Sequence, residues 1–445
     1  MKRRFYLFIA LIAAIALFSF SVTGCGDNGN SNNSGGTTDN SLFIIKSPYE
    51  GVNWSAFGQY KAALHTHTTN SDGSATLDSA VTAHYQQGYD ILATTDHVWK
   101  RTGNTELYLD FITTDYLQTS YNGAALEALT QARIDALSAG EGRENRPMLL
   151  VPYSAELAIG GDPTPDEANV FFWGEGKSTM PAVPRAWQRN LDAGLQDAHN
   201  SGAIFFINHP GRSTNAQNFR QDGPGDASNP SNMNTWIRRY ANLYMKYPSN
   251  TLVGLEIFNR RDQDSRHDRV LWDNILKQTV PNDRFVWGYA NDDSHSNGGI
   301  GINYNMMVMS SNSLENFRAA MIAGHSYMVT CAAFNEGVWT GGNTTATAQI
   351  TPASGHPRIS SITVNHETDS ITIQSTNTVK IVWISEGKEI FTDENSSWTA
   401  SGASSTINLA ADGIKEDVGS YIRANIIGPA GTGMAVIQPI GTKRK

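Results

Sequence analysis

The chain has 445 residues, with 33 Lys and Arg against 42 Asp and Glu and a net charge of −9; that acidic balance argues against a general grip on nucleic-acid backbones. Only two cysteines are present, Cys25 and Cys331, which excludes a disulfide framework and a Cys-rich zinc site and leaves His and carboxylates as the donors for any metal. The length exceeds what one ordinary core serves and predicts two domains.

At the start, Arg3 and Arg4 precede the sixteen-residue apolar run FYLFIALIAAIALFSF and the small residues SVTGC. A positive start, a short apolar run and a small-residue site read as a secretory signal. A spanning helix needs about 20 residues. VTGC, ending at Cys25, resembles the lipobox of bacterial lipoproteins. That resemblance implies a signal peptide over 1–24, a lipid on the Cys25 sulfur and an exported, membrane-anchored protein, with Gly26 favouring the outer membrane of a bacterial envelope. A plain signal peptide or a single anchor helix is the alternative. From Gly26 to Ser41 there is no apolar residue, so the segment 25–47 is expected to be a flexible tether.

Strand-like and helical stretches then alternate. YKAALH is a short apolar run ending in His65. TLDSAVTAHYQQG places Leu77, Ala80, Val81 and His84 on one helical face, with Gly88 as its stop. YDILATTDH ends in His97, PMLLVPYSAE in Glu156, and GAIFFINHP carries His209. The clearest intervening helix is WQRNLDAGLQDAH, with Trp187, Leu191 and Leu195 at i, i+4 and i+8. TLVGLEIFN carries Glu256 near its end, and RFVWGYANDDSH carries Asp293 and His295. Strand, helix, strand repeated in this way predicts an α/β fold with a parallel sheet over 48–343. After about Thr344 the pattern becomes period two and rich in Ile, Val and Thr, which predicts a small all-β, sandwich-like domain over 344–445.

The candidate metal ligands are His65, His67, Asp72, His97, Glu156, His209, Asp293 and His295, each at or just beyond a predicted strand end. Imidazole and carboxylate suit Zn, Mn or Fe. His65 and His67, at i and i+2 on an extended chain, project to one side and can share an ion. DSH repeats that spacing with a carboxylate and an imidazole. Taken singly, each His reads equally as a hydrogen-bonding loop residue; their joint placement carries the metal reading. Asp96 and Asp292 adjoin candidate ligands and would orient an imidazole or shuttle a proton, with a structural strand-end role the alternative. Lys100, Arg212 and Arg260 are candidates for meeting an anionic substrate, or else solvated surface groups. Neither a GxSxG elbow nor a P-loop occurs, so serine-hydrolase and NTPase readings lack their main signals.

HTHTTNSDG, GYDILATTDH, YSAE, INHP and NDDSH occur in an order that resembles the PHP (polymerase and histidinol phosphatase) superfamily, over roughly Tyr60 to Thr330. RAAMIAGHSYMVT is similar to that family's closing segment. The resemblance implies a distorted seven-stranded β/α barrel with two or three divalent ions. It assigns His65, His67, Glu156 and Asp293 to one ion. Glu156 would bridge to a second that His209 holds, and Asp72, His97 and His295 would hold a third. Many three-ion members carry a further His on the strand that here reads ANVFFWG; Asn169 stands near that place, which would leave the second ion weakly held. The β-rich tail and the signal are similar to the carbaryl hydrolase-like branch.

The expected function is that of a metal-dependent hydrolase. Its leading reaction is phosphoester hydrolysis by metal-activated water on a small phosphomonoester or phosphodiester. One alternative keeps the ions and changes the substrate to a carboxylic ester, amide or carbamate. Another is a non-catalytic lipoprotein that binds an envelope component. No nucleic-acid partner is expected.

Overall fold

The computed structural model describes residues 41–98, 120–121, 124–159, 166–171, 202–213, 234–260, 265–330, 355–395, 397–398, 402–429 and 433–445, with positions 192, 195, 196, 199 and 200 between them. The signal peptide, Cys25 and Lys100 lie outside the described residues, as do Trp187 and Leu191. Of Arg212 only the backbone is described.

In chain order the strands are β1 Phe43–Lys46, β2 Gly58–Ala63, β3 Ile91–Leu92, β4 His97–Val98, β5 Ser120–Tyr121, β6 Ala124–Ala125, β7 Leu149–Leu150, β8 Ser154–Ile159, β9 Asp166–Phe171, β10 Ile204–Asn208 and β11 Leu252–Asn259. They continue with β12 Trp287–Asn291, β13 Asn303–Met309, β14 Ser326–Thr330, β15 Arg358–Asn365, β16 Ser370–Thr376, β17 Lys380–Ser385, β18 Lys388–Glu394, β19 Ala403–Asn408, β20 Tyr421–Ile427, β21 Met434–Ile437 and β22 Ile440–Arg444. The helices are α1 Leu77–Gln86, α2 Gln131–Ala139, α3 Pro210–Ser213, α4 Asn234–Lys246, α5 Ser265–Thr279 and α6 Leu314–Ala323. Local chemistry sets their ends. Thr76 caps α1 by accepting from the Ser79 N–H, and the helix buries Leu77, Ala80, Val81 and His84, the face that the sequence spacing picks out. Ser313 caps α6 in the same way, and Gly324 ends it in the left-handed conformation.

The result is a mixed α/β fold. A large sheet runs β1-β22-β20-β21-β14-β13-β2-β3-β7, with β17 and β18 branching from β20. A six-stranded sheet runs β12-β11-β10-β9-β8-β4. The chain crosses between the sheets where β3 leads into β4 and where β7 leads into β8. On the other side, a single parallel bridge joins Thr66 to Ser294. The closed seven-stranded barrel implied by the family resemblance is therefore not seen; among the described residues the hydrogen-bonded sheets do not close into a ring. Nor is the six-stranded sheet all parallel, because β9 runs antiparallel to both β8 and β10.

Apolar side chains from both sheets meet in a core that includes Leu64, Ile91, Val151, Phe206, Val253 and Met307. Another core includes Phe205 and Leu255 of the six-stranded sheet with Tyr240 and Tyr244 of α4 and Trp272 and Ile275 of α5. These layers hold the C-terminal ends of β2, β10 and β12 in place, and His65 and His67, His209, and Asp293 and His295 follow those ends, while His97 opens β4 and Glu156 lies within β8.

Two expectations about organisation are corrected. The tether was expected to run to residue 47, yet Phe43–Lys46 forms β1 and pairs with β22, Phe43 opposite Arg444. Its Phe43 and Ile45 are buried and Ile44 is exposed, which is the alternation of a half-buried strand. A separate domain was expected from 344 onward, yet β14 pairs with β21 and the large sheet continues across that boundary. The pairing satisfies edge groups that β14 would otherwise present bare. The layered β character of the C-terminal part is present: the sheet β15-β16-β19 shares a core with β17 and β20, with Ile371, Ile373 and Ile407 alongside Ile381, Trp383 and Ile426. Among the described residues no helix is long and apolar enough to cross a membrane.

Candidate metal centre

His65 and His67 leave the end of β2 in extended conformation. Their stretch is fixed on both sides: the Leu64 N–H donates to Asn291 Oδ1 at 3.1 Å and the His67 N–H to the Ser294 carbonyl at 2.8 Å. The HTH and DSH segments thus face each other across the bridge between the sheets. Asp293 and His209 sit at positive φ, 47° and 22°, backbone conformations that cost energy and cluster at functional sites.

Four donors converge at the centre. His65 Nε2 lies 3.1 Å from His67 Nε2, 3.2 Å from Glu156 Oε2 and 3.4 Å from Asp293 Oδ1. His67 Nε2 lies 3.1 Å from Glu156 Oε2 and 3.2 Å from Asp293 Oδ1. Four donors held tetrahedrally at about 2.0–2.1 Å from an ion stand about 3.3–3.4 Å apart. These five distances approach that spacing, and the donor chemistry fits a borderline divalent ion.

A second group forms on the other oxygen of Glu156. His209 Nε2 lies 3.4 Å from Glu156 Oε1 and 3.3 Å from Glu167 Oε2. A looser third group has Asp72 Oδ2 at 3.3 Å from His295 Nε2 and 3.7 Å from His97 Nε2. The His97 ring spans two groups, since its Nδ1 lies 3.2 Å from Glu156 Oε2. All eight candidate ligands therefore lie in one continuous cluster, and its His, Asp and Glu donors can hold divalent metal.

No family model and no curated protein matches the chain. Solved structures give distant likenesses. One is a two-domain protein from Bacteroides vulgatus containing a predicted PHP-like metal-dependent phosphoesterase, with 13% identity, a TM-score of 0.41, and 89% of this chain and 98% of that chain covered. Another is a lesion-specific endonuclease from Pyrococcus furiosus, with 11% identity, a TM-score of 0.30, and 60% of this chain and 56% of that chain covered.

The electrostatics of the cluster follow from burial and charge together. Burial alone would push the carboxyl of Glu156 up, but His65 and the hydrogen bonds from His209, His65 and His67 hold it well below the usual range. Asp293 is held low against burial by His65 and His67. In return, burial disfavours the charged form of His67, while Asp293 and Glu156 overcome that and raise it to about 9. A field that keeps protons on imidazoles in this way also favours a divalent cation, which competes for the same lone pairs.

Two carboxylates join the site that sequence reasoning did not place there. Glu167 is the first. Asn169 stands opposite Glu156 in the β8–β9 register, but its amide is consumed: Nδ2 donates to the Leu64 carbonyl at 2.9 Å and Oδ1 accepts from Asn208 Nδ2 at 2.8 Å. Asn208 Nδ2 also donates to Glu156 Oε1 at 2.7 Å, so Asn169 helps orient Glu156. The donor beside His209 comes from Glu167, two residues earlier on the same strand face. Burial, with Glu156 nearby, raises its carboxyl above the usual value.

Glu256 is the second. Its Oε1 accepts from His65 Nδ1 and Asn291 Nδ2, both at 2.8 Å. Its Oε2 accepts from the His209 N–H at 3.0 Å and Asn259 Nδ2 at 2.9 Å. With those four acceptor directions taken, Glu256 is a positioning residue: it holds the His65 ring so that Nε2 faces the other donors.

Asp96 and Asp292 take the structural alternative among their expected roles in the hydrogen bonds they make. Asp96 accepts from the Thr68 N–H at 2.7 Å, Thr68 Oγ1 at 2.9 Å and Ser71 Oγ at 2.6 Å, which pins the loop between His67 and Asp72. Asp292 accepts from the N–H groups of Gly301, Ile302 and Asn303 and from the Tyr89 hydroxyl. Both are buried and turned toward fixed donors, so the geometry gives them structural work. Of the expected substrate-binding residues, Arg260 reaches the cluster: its Nε lies 2.9 Å from Asp293 Oδ2 and its Nη2 2.9 Å from His295 Nδ1.

Proposed function

We propose that the chain is a metal-dependent hydrolase that acts on a small phosphomonoester or phosphodiester, using two or three divalent ions of the Zn, Mn or Fe class. The observation that carries the reading is the approach of His65 Nε2 and His67 Nε2 to each other and of both to Glu156 Oε2 and Asp293 Oδ1, all within 3.1–3.4 Å. His65, His67, Glu156 and Asp293 would hold one ion, Glu156, His209 and Glu167 a second, and Asp72, His97 and His295 a third. Bound ions would supply an acidified water and positive charge for the oxygens of the reacting group. Glu256 fixes the His65 ring, Asn208 fixes Glu156, and Asp96 fixes the loop that carries Asp72. The part-exposed Arg260 guanidinium at the edge of the cluster suits phosphoryl oxygens.

Metal-reconstituted protein is expected to turn over members of a panel of phosphomonoesters and phosphodiesters, and Asp293→Ala to lose that turnover. Equal rates for the two proteins would sink the proposal. The N-terminal sequence supports a further part of it, export and lipid anchoring through Cys25. Metabolic labelling with a radioactive fatty acid is expected to mark the wild-type chain and not Cys25→Ser.

A further inference from the structure

At the other end of β2 from His65 and His67 lies a cavity of about 650 Å³, in the size range of small-molecule sites. Its walls are β2, β13 and β14, the turn after α1, the start of β15 with His356 and Arg358, and the end of β16 at Thr376. None of its lining residues belongs to the metal centre. Lys61 sits four residues before His65, about 13 Å along an extended strand.

The charge of this cavity is unusual for an acidic chain. Its charged lining residues are Lys61, Arg146 and Arg358, with no Asp or Glu among the lining residues. The acid nearby, Asp90, is already shared by Arg143, Arg146 and the Lys61 N–H. Lys61 is buried, with Nζ 3.9 Å from the Tyr89 ring centre and 4.6 Å from that of Tyr304. Its Nζ donates to the Gln87 carbonyl at 3.3 Å and interacts with the charge of Asp292, and a bound anion would add a further acceptor on the cavity side.

His356 lines the same cavity. It is 6% exposed, and its Nδ1 lies 2.5 Å from the Tyr304 hydroxyl. Its Nε2 is buried with no hydrogen-bond partner. Burial, and then Lys61, lower its pKa to about 4, so the ring is neutral at pH 7. A buried ring nitrogen without a hydrogen-bond partner is rare.

We propose that this cavity binds a small organic anion, a carboxylate or phosphate on a compact polar body, with Lys61 and Arg358 as its cationic donors. The site joins β2 of the large sheet to β15 and β16 of the three-stranded sheet, so occupancy would fasten the two sheets together. It needs no metal and stands apart from the hydrolase proposal.

The test is titration calorimetry on full-length protein kept in chelator, with inorganic phosphate, citrate, glucuronate and neutral glucose as probes. At least one anion is expected to bind saturably at one site, and glucose is not. Arg358→Gln, an exposed change that leaves the core intact, is expected to weaken binding about tenfold. Lys61→Met is expected to weaken it further, and Asp293→Ala to leave it unchanged. The proposal is overturned if no anion saturates, if glucose binds as well as glucuronate, or if Arg358→Gln and Lys61→Met both bind like wild type. Loss of binding in Asp293→Ala would also overturn it, by placing the anion at the metal cluster.

Discussion

At the residue scale, two glutamates separate holding an ion from holding a ligand. Glu167 presents an oxygen to His209 Nε2, whereas Glu256 gives its acceptor directions to His65, His209, Asn259 and Asn291. Glu167→Gln is therefore expected to lower the metal content by about one ion per chain while the His65–His67 group stays loaded. Elemental analysis of the purified variant reads this directly. Glu256→Gln removes no proposed ligand but frees the His65 ring; metal affinity is expected to fall about 10- to 100-fold, read by competition with a chromogenic chelator. His84 makes a different prediction. It lies on the buried face of α1, with Nδ1 at 2.8 Å from the Ala80 carbonyl, and burial lowers its pKa to about 4. Between about pH 6.5 and pH 4 the unfolded chain binds a proton there that the folded chain refuses, so stability falls as the pH falls, by up to about 1.4 kcal/mol per pH unit. The difference in urea midpoint between wild type and His84→Asn is expected to shrink from pH 7 to pH 5. A constant difference would remove His84 from the account.

At the element scale, strand direction decides what can be read from the sequence. His65, His97 and His209 each follow an apolar run, and Glu156 ends one. A search for the ends of apolar runs finds them without any structure, although His97 opens β4 and Glu156 lies near the start of β8. That rule fails at β9, which runs antiparallel to both neighbours. The end of β9 that meets the site is its start, so Glu167 lies before the apolar run ANVF, and attention falls on Asn169 instead. Glu256 was visible as a residue near a strand end, but its role depends on partners spread from His65 to Asn291. The strand FIIK is too short to declare itself, and its partner lies nearly the whole chain away. β11 carries its own prediction. Gly254 pairs with Trp287, and a Cβ there would strike the Trp287 backbone carbonyl and the Tyr289 ring. Gly254→Ala is expected to cost about 1–3 kcal/mol, measured by urea unfolding, because neither the backbone carbonyl nor the packed ring can yield freely.

At the scale of the whole molecule, the shared sheet makes the C-terminal part structural. Besides the β14–β21 pairing, Arg423 and Tyr421 bind Asp273 of α5, and the Gln438 side chain both accepts from and donates to the Gly288 backbone. Residues 40–445 form one compact unit. A chain cut at residue 343 is therefore expected to fail to fold, and the full chain to show a single calorimetric transition. Two separated transitions would mean that the parts fold independently.

The pairing of β1 with β22 has one more consequence. The Lys445 N–H donates to the Leu42 carbonyl at 2.9 Å, so the first and last described segments end side by side. A few glycines would join them into a loop, and the chain could be reopened at an exposed turn such as the one around Gly413, where a left-handed glycine meets nothing within 4 Å. In connectivity the fold is already close to circular, and the order in which its strands are synthesised is one of several that would reach it.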